Sequence, residues 1–133
     1  MAATMRRDCV GMRVRQLNRR ITRLYDAALR PHGITTAQLN VLVALALMGE
    51  ARAVDVAATL ALEKSTLSRN LGRMIEHGWI SATPDARGAG QQLRILAAGR
   101  DVVERAMPAW QAAQRQARRE LSPALVDALS EEG

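Results

Sequence analysis

The sequence predicts a mainly α domain with one small β-hairpin, an α+β chain whose strands are confined to a single insert. Three observations carry that reading. Apolar residues recur at three- and four-residue steps through most of the chain, the mark of amphipathic helices. Proline and glycine mark most of the breaks between these stretches. One segment, Trp79 to Leu96, instead sets two extended runs around a Gly-rich tip. At 133 residues the chain is long enough for one core and too short for two. Its single cysteine, Cys9, excludes an intramolecular disulfide framework and makes a reducing, cytoplasmic compartment the default.

The first helix is expected from about Asp8 to Arg30, where Val10, Val14, Leu17, Ile21, Leu24 and Ala28 form one apolar face. Arg15, Arg19 and Arg23 fall on the opposite, solvated side. Pro31, His32 and Gly33 end it. Thr35 and Gln38 have capping-box spacing and open a second helix through Leu39, Leu42, Val43 and Ala46, stopped at Gly49. A short third helix is expected over about Ala53 to Ala61. A fourth runs from Lys64 to His77, with Gly78 as its left-handed cap. Trp79 to Thr83 and Gln91 to Leu96 read as two strands, with a tip over Pro84 to Gly90 longer than a two-residue turn. A long helix resumes near Ala98, with Val103, Ala106, Trp110, Ala113 and Ala117 as a seam for a partner helix. Pro108 should kink it. Ser122 and Pro123 suit the N-cap and first turn of a last short helix.

Charge narrows the partners. Nineteen Lys+Arg against thirteen Asp+Glu give a net charge of +6, which favours an anionic partner. Only Lys64 among the basic residues is not arginine. Aromatics are limited to Tyr25, Trp79 and Trp110, too few for base stacking along a single strand. Arg6, Arg7 and Asp8 precede no long apolar run, which argues against a standard signal peptide. The longest apolar run, Val41 to Met48, has the length of a buried helix and not of a membrane span, so no membrane partner is expected.

Helix, short helix, turn, helix and then β-hairpin is the order of a winged helix-turn-helix. Such units place their second helix in the DNA major groove, where each base pair shows a distinct donor and acceptor pattern. The segment Lys64-Ser65-Thr66-Leu67-Ser68-Arg69-Asn70-Leu71 suits that task. Leu67, Leu71 and Met74 should face inward, while Ser65, Ser68 and Arg69 project outward and Arg73 lies one turn beyond Arg69. Hydroxyls and free N–H groups at a helix N-terminus suit phosphate, and arginine pairs bidentately with guanine.

In this order and spacing the chain resembles the MarR (multiple antibiotic resistance regulator) family of winged-helix transcriptional regulators over nearly its whole length. The stretches that carry the resemblance are Leu24-Tyr25-Asp26, Leu29 to Thr35 with Gln38-Leu39, Ser65 to Leu71, Glu76 to Ile80, Asp85-Ala86-Arg87 and Ala98-Gly99-Arg100. The resemblance implies a single MarR-like domain over 1–133. Helices in about 8–34 and 98–133 would dimerise, and 35–97 would form the winged helix-turn-helix DNA-binding lobe. It implies a homodimer on a pseudo-palindromic double-stranded operator, usually a repressor. The wing arginine that enters the minor groove would be Arg87, with Asp85 helping to hold it. Base and phosphate contacts would fall on Ser65, Thr66, Ser68, Arg69 and Arg73, with Lys64 and Arg94 as further phosphate contacts. Leu96 stands where the family usually has threonine, so that helix cap is lost, at a cost of about 1 kcal/mol. The chain ends at Gly133, earlier than most relatives, which bears on the size of the dimer interface.

Family members commonly release DNA when a small aromatic or phenolic ligand enters between the dimerisation and DNA-binding lobes. The corresponding candidates are Leu17, Arg20, Met48, Met107 and Trp110. One branch of the family senses oxidants through a first-helix cysteine. Cys9, close to Arg6, Arg7 and Arg13, is the redox candidate, although it lies upstream of the usual position and only Tyr25 could serve as a tyrosine partner. A winged helix used for protein contact is a third reading, opposed by the arginines on both expected DNA-facing elements. An enzyme is not expected. His32 and His77 adjoin helix ends, neither makes a metal spacing with Cys9, and no Gly-rich loop sits in a nucleotide-binding context. Glu63, Glu76, Asp101 and Glu104 read as helix-surface charges. No catalytic residue, metal or cofactor is assigned.

Overall fold

The computed structural model describes residues 1–131. Its elements are α1 (Ala2–Asp8), α2 (Val10–Leu29), a 3₁₀ turn (Arg30–His32), α3 (Thr36–Met48), β1 (Glu50–Arg52), α4 (Ala53–Thr59), α5 (Lys64–Glu76), β2 (Ile80–Pro84), β3 (Gln91–Ile95), α6 (Ala97–Glu120) and α7 (Pro123–Glu131). Positions 132 and 133, the end of the segment assigned above to dimerisation, lie outside the described residues.

Helix α3 is the hub of the core. It is apolar nearly all round and buries Leu39, Val41, Leu42, Ala44 and Leu45. Its start is fixed by the expected capping box, in which Gln38 N donates to Thr35 Oγ1 (3.2 Å) and Thr35 N donates to Gln38 Oε1 (3.1 Å). A further cap comes from α2. Asp26 Oδ1 accepts both Thr36 N (2.7 Å) and Thr36 Oγ1 (2.6 Å), setting a carboxylate at the positive end of the helix. Around α3 gather Leu29 and Ile34, Val56 of α4, Leu67, Leu71 and Met74 of α5, the inner face of the sheet, and Val102 and Ala106 of α6.

The sheet has three strands rather than the two expected, in the order β1-β3-β2, all antiparallel. Three residues are too few to show alternation in a sequence, and β1 exists because β3 supplies its ladder. Ala51, Ile80, Leu93 and Ile95 are buried. The alternation that buries them puts Glu50, Arg52, Ser81, Thr83, Gln92 and Arg94 on the other face.

Other boundaries shift for local reasons. The first predicted helix is two helices, because Cys9 is extended (φ −71°, ψ 111°) between α1 and α2. Helix α4 stops at Thr59, short of Ala61, in a turn closed by Leu62 N to Ala57 O and Ala61 N to Ala58 O. Helix α5 ends with the same pair of bonds, Trp79 N to Met74 O and Gly78 N to Ile75 O. The left-handed residue is Gly78 (φ 72°) in one turn and Ala61 (φ 52°) in the other. Only Ala61 carries a Cβ that opposes this conformation. Ala61→Gly is therefore expected to raise stability by about 0.5 kcal/mol, the relief outweighing the added chain entropy. A urea midpoint that falls at constant slope would contradict this.

The α6 seam finds its partner within the chain. Ala113 and Ala117 are buried where α6 packs antiparallel on α2. Tyr25 Oη hydrogen-bonds Gln114 Oε1 there, and Arg20 lies 4.0 Å from Glu120. Burial raises the Tyr25 phenol above its ordinary pKa, partly countered by Arg118. Helix α6 continues through Pro108. Pro108 and Glu104, whose carbonyl loses its donor, are both exposed to water. As expected, Leu96 caps α6 without a side-chain bond, whereas Ser122 Oγ accepts Leu125 N (3.2 Å) at the start of α7. The first half of α2 extends beyond the core, leaving Val10, Met12 and Val14 exposed together with Met5 of α1 and Leu129 of α7. Among the described residues, no single helix is long and apolar enough to cross a membrane.

Candidate nucleic-acid interface

Helix α5 and the loop between β2 and β3 present two neighbouring cationic elements. On α5, burial of Leu67, Leu71 and Met74 sets the rotation of the helix and leaves Lys64, Ser65, Ser68, Arg69 and Arg73 exposed. Thr66 is half-buried, and its carbonyl accepts Asn70 Nδ2 (3.2 Å). The N-cap, Glu63, makes no side-chain cap bond, so the first N–H groups of α5 stay available to an acceptor. Lys64 and Ser68 line a cleft of about 320 Å³ whose opposite wall is Ala89, Gly90 and Gln91 of the β2–β3 loop.

That loop is organised by one carboxylate. Asp85 Oδ1 accepts the backbone N–H of Arg87 (3.0 Å), and Asp85 Oδ2 accepts from Arg52 Nε at the end of β1. The backbone closes below them through Asp85 N to Gly90 O (3.0 Å), with Gly88 (φ 157°) and Gly90 (φ 111°) in the turn. The Arg87 N–H and then Arg52 hold the Asp85 carboxyl below its ordinary pKa. A carboxyl depressed by folding stabilises the fold fully above the ordinary carboxylate range, near pH ~4, and loses that contribution as pH falls through its lowered value. In an NMR titration Asp85 should thus stay ionised below pH ~4. A midpoint at or above that value would show the loop is not held this way.

The two elements gather most of the predicted DNA-contact residues: Lys64, Ser65, Thr66, Ser68, Arg69 and Arg73 on α5, with Asp85 and Arg87 on the wing. Asp85 meets Arg87 through its backbone amide; its side-chain partner is Arg52, which sequence reasoning missed. Arg94 is separate. It lies next to the end of β3, where its guanidinium pairs with Glu50 Oε2 (3.3 Å) across the strands. An arginine already neutralised by a neighbour is a weaker phosphate contact than one without a partner.

The five effector candidates do not converge. Met107 and Trp110 line one cavity of about 200 Å³ with Leu39, Asn40, Val43 and Val103, between α3 and α6. Met48 belongs to the cleft at the wing root with Arg52 and Asp85. Leu17 and Arg20 lie on a third concavity, with Arg6, Arg7 and Arg13. Helical spacing shows which face a residue shares, but not which cavity that face meets. Cys9 is exposed at the α1–α2 break. Two of its neighbouring arginines are engaged elsewhere, Arg7 Nε with Asp8 (3.3 Å) and Arg13 Nε with the Arg7 carbonyl (2.7 Å), and Tyr25 is turned to Gln114. Among the described residues, no three His, Cys, Asp or Glu side chains gather as a metal site.

Residues 32–89, from the 3₁₀ turn into the β2–β3 loop, match the model of the MarR family. No curated protein matches the chain by sequence. Several solved structures share its fold. A cysteine-to-serine mutant of MarR from E. coli, complexed with operator DNA, is 22% identical with a TM-score of 0.80, covering 96% of this chain and 93% of that one. The transcriptional regulator MosR of M. tuberculosis in complex with DNA is 27% identical with a TM-score of 0.78, covering 93% and 92%. A probable transcriptional regulator from Pseudomonas aeruginosa is 25% identical with a TM-score of 0.78, covering 93% of each chain. The helix order, the three-stranded sheet and the matched segment agree: this chain has a winged-helix fold similar to that of the MarR transcriptional regulators.

Proposed function

We propose that a homodimer of this chain binds a pseudo-palindromic double-stranded operator in the cytoplasm and represses transcription, without catalytic activity of its own. The observation that carries this is the pairing of two exposed cationic elements on one winged helix. Arg69 and Arg73 sit one turn apart on the outer face of α5, and Arg87 sits on the wing; none of the three makes an ion pair among the described residues. MosR, with the same fold, is known bound to DNA. In this reading α5 enters the major groove, its N-terminal hydroxyls and amides meet phosphates, and Arg87 reaches the adjacent minor groove. The exposed Met5, Val10, Val14 and Leu129 provide apolar surface for the second copy.

The effector site of this proposal is the cavity of Leu39, Val43, Val103, Met107 and Trp110. Asn40 is its one polar side chain, which suits a small aromatic or phenolic molecule with a single hydrogen-bonding group. The test is selection of genomic DNA fragments by the purified protein at about physiological salt, where nonspecific phosphate binding is weak. Recovery of one inverted repeat, with half-sites about one helical turn apart, is the expected result. Sequence-independent capture that fades as salt rises would defeat the proposal and leave protein contact as the use of the wing. A phenol or benzoate added to the complex should quench Trp110 and release the DNA together.

A further inference from the structure

We infer that Arg52 is the positioning residue of the wing, acting on Arg87 through Asp85; this rests on the operator-binding reading above. Arg52 occupies the N-cap of α4, where a Ser, Thr, Asp or Asn side chain would accept a hydrogen bond from the helix amides. A guanidinium has nothing to accept with, and Arg52 makes no such bond. It turns instead to Asp85, 33 positions along the chain. The Asp85 side chain is only 6% exposed, and its second oxygen is taken by the Arg87 N–H.

Two consequences follow for Arg87. The first is geometric. The wing tip is a glycine-containing loop closed by backbone bonds of its own, and Arg52 fastens its first residue to the β1–α4 junction. That junction belongs to the same helix-turn-helix as α5, so the wing and the recognition helix are held to one frame. The second is electrostatic. A carboxylate two residues from Arg87 is a ready partner for its guanidinium, yet one Asp85 oxygen is bound by Arg52 and the other by a backbone amide. Arg87 consequently keeps its charge for a phosphate-lined groove, whose narrow form attracts arginine. Without Arg52, Asp85 is free to fold back on Arg87 and neutralise it.

The test uses the full-length protein and the inverted repeat recovered by fragment selection, with R52A, R52Q, R52K, R87A and R52A/R87A. R52A is expected to bind about tenfold more weakly, as for loss of one arginine contact. Hydroxyl-radical protection should be lost only in the flanking minor grooves. The double variant should be no weaker than R87A alone, because Arg52 has no other route to the DNA. R52K, which keeps a charge beside Asp85, should recover part of the loss. The fold and the dimer should be retained, with the thermal midpoint of R52A lowered as Asp85 loses one of its two partners. Effects of R52A and R87A that multiply, or flanking protection that survives R52A, would overturn the assignment. So would loss of the fold in R52A, R52Q and R52K alike, since Arg52 would then be structural. Failure of the wild type to select any repeat would instead overturn the operator reading together with this one.

Discussion

Arg69→Ala is expected to weaken operator binding by about five- to 150-fold, the 1–3 kcal/mol of a bidentate arginine–base contact, without changing thermal stability. Arg69 is exposed in the first half of α5 and has no hydrogen bond or ion pair among the described residues, so its removal costs the fold nothing. Recognition helices present their N-terminal residues to base edges. Of the exposed residues there, Lys64, Ser65 and Ser68 lack a planar fork, and only Arg69 can address two acceptors of one guanine. Its loss should therefore be concentrated at one base pair of each half-site. Arg73, a turn further along, is expected to meet the backbone instead. Arg73→Ala should weaken all sequences alike and lower the salt slope by about one. Anisotropy titrations on the operator and on single-base variants separate the two. If Arg69→Ala lowers affinity evenly across the variants, Arg69 is a phosphate contact and the reading of bases lies elsewhere.

Much of this interface was legible because its determinants are local. The capping box of Thr35 and Gln38, the stop at Gly33, the left-handed cap at Gly78 and the inward set Leu67, Leu71 and Met74 each span a few residues. Each depends on rules that a short window contains. The outer face of α5 follows from the inner one, so its arginines are legible in the sequence. What was missed depends on distant partners. Strand β1 is three residues that pair only because β3, some forty positions later, lies beside them. Arg52 then looks like an unremarkable arginine until that pairing carries it to Asp85. The Asp26 cap on α3 spans ten residues and a helix break, beyond the reach of a capping motif. One local signal did exist for Arg52. An arginine at the start of a short helix, where a hydroxyl or carboxamide is preferred, is a cap left vacant, and a vacant cap asks what its occupant does instead. The effector set depends on how whole helices pack. Leu17, Arg20, Met48, Met107 and Trp110 were carried over from the resemblance as one pocket, and α2, α3 and α6 present them to three separate surfaces.

The junction between wing and α6 supports the second large expectation, that Gly99→Ala destabilises the protein by about 1–3 kcal/mol. Alanine normally improves on glycine in a helix, by about 1 kcal/mol in its interior. At Gly99 that gain is unreachable. A Cβ there would lie 2.3 Å from the Trp79 carbonyl oxygen and 3.0 Å from Ile95 Cγ1. The carbonyl cannot move aside cheaply, because it accepts Leu96 N (2.8 Å) at the start of α6. Leu96 offers no side-chain cap, so this backbone bond anchors the helix to the end of the hairpin. Pushing α6 off Trp79 would break that anchor and open the core beside Ile80 and Val102, both buried. Gly72 is the control. It is exposed within α5, and a Cβ there meets nothing within 4 Å. Gly72→Ala should accordingly raise stability by up to about 1 kcal/mol. The same added methyl group is thus expected to act with opposite sign at two helical glycines, read as denaturation midpoints at equal protein concentration. Stabilisation by both would mean that the Trp79–Gly99 contact yields, and that the wing is joined to α6 less rigidly than this packing requires.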